Sequence, residues 1–146
     1  MVTRLRAGRD VLGQPTPVVP ESWTARGGTE PEYFIFLAIL RTGRKEPVDF
    51  TFQKAFFGGR LTRGGVVADF MIFSPRVAIN VQGARFHLST AHQRTNDRLQ
   101  RAALEGSGIR MEFISDFEAV NGPDKAVREA IAGTRGRGPL TAFGLS

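Results

Sequence analysis

The stretch from Val66 to His87, VVADFMIFSPRVAINVQGARFH, constrains the fold more than any other part of the chain. Two short apolar runs flank Ser74-Pro75, a turn dipeptide, so the stretch reads as a hairpin with strands at 66–73 and 76–82. The first run carries an acid, Asp69, between hydrophobic neighbours. The second ends in Asn80-Val81-Gln82-Gly83 and is followed by Phe86-His87. A carboxylate in a buried strand is costly unless something compensates it. A metal ion is one compensator; Arg76, Arg85 or the amides of a turn are others.

Around this hairpin the periodicity supplies the remaining elements. Thr29 and Glu32 form a capping box with Pro31 in the first turn, so a helix runs from there to about Thr42 and stops at Gly43. Its inward face is expected at Tyr33, Phe36, Leu37 and Leu40, widened by Phe34 and Ile35. A strand over 48–57 comes next, with Val48, Phe50 and Phe52 on one side. Gly58-Gly59 and Gly64-Gly65 bracket a basic loop holding Arg60 and Arg63. Past the hairpin, Thr90 and Gln93 open a helix to about Glu105, expected to bury Leu99, Ala102, Ala103 and Leu104. Arg94, Arg98 and Arg101 share its polar side. Ile109 to Ile114 is a fourth strand, with Arg110 and Glu112 pointing outward, and Pro123 to Ala132 is a closing helix.

The predicted order is α, β, β, β, α, β, α. Three strands joined by short turns pair antiparallel, and the helical crossover lets the fourth pair parallel. This is a mixed α/β (α+β) domain at 29–132. Residues 1–28 read as an extended, basic, Pro-rich arm without helix or strand, in which Trp23 is poised to dock on a surface, and 133–146 as a Gly/Arg-rich tail.

Composition narrows the function. With 146 residues there is room for one core. The longest apolar run, Tyr33 to Leu40, is too short to span a membrane, and the first residues lack the apolar stretch of a secretory leader, so no membrane partner is expected. The absence of cysteine excludes disulfides, zinc–thiolate sites and thiol catalysis and fits a cytoplasmic setting. A net charge of +6 favours a polyanionic partner such as DNA.

The hairpin and the residues after it resemble the PD-(D/E)XK nuclease-like superfamily, and within it the very-short-patch-repair endonuclease branch and its small bacterial and phage relatives. The resemblance rests on Asp69 in the second strand, Ile79-Asn80-Val81-Gln82-Gly83 in the third, Phe86-His87 after it, and the downstream Asn96-Asp97-Arg98, Leu104 and Gly108, and it covers about Thr29 to Asp116. It implies a restriction-endonuclease-like αβββαβ core and Mg²⁺-assisted hydrolysis of DNA phosphodiesters. The metal would sit on Asp69 and the main-chain carbonyl of Val81. His87 would serve the leaving group or orient a water, and Gln82 occupies the remaining catalytic position. Glu30, Glu32 and Asn80 are outer ligands, and Arg60, Arg63, Arg94, Arg98 and Arg101 are expected to contact nucleic acid.

The chain departs from that pattern at two places. The superfamily's third strand usually carries an acid and a lysine where this chain has Asn80 and Gln82. The departures raise a second expectation: a nuclease fold kept without hydrolysis as a structural component of a larger assembly, such as the head–tail junction of a phage virion, holding neighbouring chains or DNA through its arms.

Overall fold

The computed structural model describes residues 8–56, 66–83 and 91–135. In chain order the elements are α1 (Glu21–Ala25), α2 (Glu30–Arg41), β1 (Phe50–Phe56), β2 (Val66–Ile72), β3 (Val77–Gln82), α3 (Ala91–Gly106), β4 (Arg110–Ser115), α4 (Asp116–Asn121) and α5 (Pro123–Ala132). The strands form one four-stranded sheet in the order β1-β2-β3-β4. β1/β2 and β2/β3 are antiparallel, and β3/β4 is parallel across the α3 connection. The mixed α/β class read from the sequence is therefore the observed one, and no described helix is long and apolar enough to cross a membrane.

One face of the sheet carries the larger core. Phe50, Phe52, Phe70, Ile72, Val77, Ile79 and Ile114 pack there against Phe34, Ile35, Ala38 and Ile39 of α2 and Ala126, Val127 and Ala130 of α5. α2 starts as its sequence dictates: Thr29 Oγ1 accepts from the Glu32 amide, and Glu32 returns the bond to the Thr29 amide. Its buried face is rotated from the expected one. Phe34, Ile35, Ala38 and Ile39 are buried, Tyr33 and Phe36 are half-buried, and Leu40 lies outward. Aromatic residues on more than one side of the helix blurred the stripe, because α2 is covered by the sheet, by α4 and α5, and by Trp23 of α1 against Tyr33 and Phe36.

The expectation that residues 1–28 lack helix is corrected. Glu21–Ala25 forms α1, and Trp23 is only 2% exposed. Its indole lies 4.4 Å from the Phe52 ring, 4.8 Å from Phe36 and 5.5 Å from Tyr33, and Nε1–H donates to the Thr29 carbonyl. Arg26 then lies over the rings of Trp23 and Phe52 and pairs with Glu46. A five-residue helix has little stability alone; these tertiary contacts hold it.

The opposite face is thinner. Ala68, Met71, Ala78 and Met111 meet Leu104 of α3, with Ile109 and Phe113 at the margin. Leu104 is buried as expected, but Leu99 is 63% exposed and Ala102 and Ala103 are also outward. The helix is turned so that Arg101 faces the sheet, its guanidinium 4.9 Å from the centre of the Phe113 ring. An arginine stem covers apolar surface while its head stacks, which a hydrophobicity pattern does not anticipate.

Three further expectations are corrected. Val48 is exposed in the turn before β1 instead of inside the strand. Glu112 is buried, not outward: it pairs with Arg110 at 2.9 Å, and Arg110 donates to the Ala130 and Ile131 carbonyls at the end of α5. β4 runs into α4, a helix opened by a Ser115–Glu118 capping box. Arg135, in the stretch read as a tail, pairs with Glu118 at 2.8 Å and donates to the Phe113 carbonyl.

Candidate active site

The sheet forks at Asp69. On the β2/β3 side, paired positions run Ile72↔Val77, Met71↔Ala78 and Phe70↔Ile79, and the ladder ends there. Beyond it β2 stays with β1 through Phe56↔Val66, while β3 stays with β4 through Gln82↔Ser115. Where the strands part, two side chains lace them together. Asn80 Oδ1 accepts from the Asp69 amide at 2.7 Å, and Asp69 Oδ2 accepts from the Val81 amide at 2.8 Å. Each partly buried amide thereby finds an acceptor that the backbone of the other strand no longer supplies.

The ladder on the other side of Asp69 is also broken. Pairing passes from Phe52↔Phe70 to Lys54↔Ala68, leaving Gln53 opposite Asp69 in register. Gln53 has φ of +62°, a left-handed conformation that costs a side-chain-bearing residue free energy and is held by its surroundings. No sequence signal marks it, since only Gly, Asn and Asp adopt this conformation readily.

This geometry brings together part of the expected set. Within a strand, the N–H and C=O of one residue point to the same side, so Val81, whose amide reaches Asp69, turns its carbonyl into the fork as well. Asp69 and the Val81 carbonyl thus offer hard oxygen donors at one opening, a combination that suits Mg²⁺, which is often held by one or two carboxylates and completed by waters and substrate phosphate. Asn80 lies at the same place, with its oxygen already used by the Asp69 amide. Gln82 is two residues beyond Asn80 on the same side of β3. Its Oε1 is buried and has no hydrogen-bond donor among the described residues.

Other expected residues are placed differently. Glu30 is exposed at the start of α2, and Glu32 is engaged in the capping box. Glu32 nonetheless faces an acid that sequence reasoning missed. Burial, and then the nearby Glu32 charge, push the Asp116 carboxyl above its ordinary range. Asp116 stands against Gly83, where an added Cβ would lie 3.1 Å from its Oδ2. The Ser115–Glu118 capping box was the available signal that a helix starts at Asp116. Among the described residues no three His, Cys, Asp or Glu side chains form a metal-holding group. Arg98 is exposed on α3, Arg101 is stacked on Phe113, and Arg94 belongs to the same helix. His87, Arg60 and Arg63 lie outside the described residues.

Searches against protein-family models, curated proteins and solved structures find no match to this chain.

Proposed function

We propose that the protein is a Mg²⁺-dependent DNA endonuclease of low activity on a restriction-endonuclease-like core, with the fork as its active site. The observation that carries this reading is the opening of the sheet at Asp69, with the Val81 carbonyl turned into the same gap. The order α2-β1-β2-β3-α3-β4, in a mixed sheet with only β3/β4 parallel, supports the reading because it follows the αβββαβ element order that the resemblance implies.

Asp69 and the Val81 carbonyl would hold the ion; when bound, it polarises the scissile phosphate and lowers the pKa of an attacking water. The Val81 amide donates to the Asp69 carboxylate, so its orientation is set before substrate arrives. Gln82 Oε1, buried and open to a donor, would orient a water without taking its proton, because an amide is not a base. His87 would protonate the leaving oxygen. With Asp69 the one carboxylate among the residues that would hold the ion, and neutral amides at positions 80 and 82, low activity is the expected behaviour.

A second reading has its own observation. The Asp69–Asn80 lacing closes the end of a ladder whether or not a metal binds, as in a nuclease fold serving without hydrolysis as a structural component of a larger assembly such as a phage virion. The two readings predict opposite outcomes. On the nuclease reading, supercoiled DNA is nicked with Mg²⁺ or Mn²⁺, Asp69→Ala abolishes nicking, and added Mg²⁺ raises the wild-type melting temperature. On the structural reading no DNA form is cut, Mg²⁺ leaves the melting temperature unchanged, and Asp69→Ala costs about 1–3 kcal/mol through the unsatisfied Val81 amide.

A further inference from the structure

We propose that a cleft between the last turn of α2 and α5 grips the phosphates of a DNA backbone. The cleft, of about 410 Å³, has an apolar floor that includes Ala38 and Ile131, and a rim holding Arg41, Arg44, Arg128 and Asp124. Three guanidinium groups against one carboxylate leave an excess of two positive charges at this rim. The inference deepens the reading above by naming a contact surface, and it rests on that reading only for DNA as the partner.

The three arginines are held differently, and the difference is informative. Arg41 is committed to Asp124 at 2.8 Å and suits the C-terminal end of α2, where a cation complements the helix dipole. Arg44 is half-buried and anchored by its own donors, Nη1 to Thr42 Oγ1 at 3.0 Å and Nη2 to the Ser74 carbonyl at 3.2 Å. That fixes the guanidinium at the rim and lowers the entropy lost when it meets a ligand. Arg128 is exposed on α5 and has no hydrogen-bond or ion-pair partner among the described residues. A fixed guanidinium beside a free one, over an apolar floor, suits a phosphodiester: the charges meet the phosphates and the floor meets the sugar. Ser74 is in the turn of the β2/β3 hairpin, so the cleft lies at the closed end of that hairpin and the fork at the other. The expected arginines at 60, 63, 94, 98 and 101 belong to other segments, so DNA contact here would come from an unanticipated side.

The test is fluorescence anisotropy of a short fluorescein-labelled DNA duplex with the full chain, in EDTA so that nothing is cut. Arg128→Gln should weaken binding about fivefold and flatten the dependence of log K on log salt by about 0.9, the value of one lost phosphate contact. Arg44→Gln with Arg128→Gln should lose about twentyfold, and Asp124→Asn, which removes the opposing charge and releases Arg41, should tighten binding about threefold. Because Arg128 is exposed and unpartnered among the described residues, its single variant keeps the test valid even where the double variant misfolds. Unchanged binding by Arg128→Gln would overturn the proposal. So would an equal loss in Arg9→Gln, an exposed arginine outside the cleft, which would show overall charge being read, or equal binding of a polyglutamate peptide with the same Arg128 dependence. A protein that binds through this cleft and never cuts keeps this inference and removes the nuclease reading. One that cuts, with binding indifferent to the cleft variants, does the reverse.

Discussion

On one face of the sheet, four helical segments surround a continuous aromatic cluster centred on Trp23, Phe36, Phe52 and Phe70. On the other, α3 covers a small patch of Ala68, Met71, Ala78 and Met111 with Leu104 and a stacked arginine. The difference teaches where stability and freedom reside. Large rings interlocked from α1, α2 and the sheet gain burial and edge contacts together, so the first face defines the position of every strand. The second face is built from alanines, flexible methionines and an amphipathic stem, and tolerates change more readily.

The sharpest way to break that contrast is to remove the centre of the first face. Trp23→Ala should cost about 4 kcal/mol, read from the urea unfolding midpoint, because it empties a pocket lined by four rings. Leu104→Ala, the matching deletion on the α3 face, should cost about 2 kcal/mol, the low end for a buried leucine, since α3 can settle toward small neighbours. Equal losses would show that the two faces share one core. A smaller effect sharpens the picture at the rim of the first face. The Asp116 carboxyl binds its proton more tightly folded than unfolded, so its charge opposes folding as pH rises above the ordinary carboxylate range. Asp116→Asn should therefore stabilise the protein at neutral pH by a few tenths of a kcal/mol, small because the group is largely solvated, with the gain vanishing in acid. Glu118 has the opposite sign. Burial raises its pKa, but hydrogen bonds from Arg135 and Ser115 outweigh this and hold it below the ordinary range, so its contribution is lost as pH falls.

The hairpin, its turn, the parallel fourth strand and the helices at Glu30 and Pro123 were legible because each has a local cause: a capping box, a Pro at the first turn, a short apolar run ended by Gly or Pro. α1 was not legible, because it exists through one tryptophan's distant contacts. The orientation of α3 was misread for a related reason: Arg101 faces inward by stacking on Phe113, which no periodicity of apolar residues records. At the candidate site, Asp69 stood out as an acid among apolar neighbours, and the structure places it with Asn80 and Val81. The left-handed Gln53 and the approach of Asp116 to Gly83 depend on register and chain packing, and neither has a sequence signature of its own.

Gly28 carries a consequence for how sequences related to this one would vary. A Cβ at that position would overlap the Trp23 indole nitrogen, so no larger residue fits while the tryptophan stays in place. Positions 23 and 28 should therefore covary: a chain that replaces the indole with a small side chain gains room for any residue at 28, and one that keeps it must keep the glycine. Two positions five residues apart would then report, in an alignment, whether the amino-terminal segment is seated on the sheet.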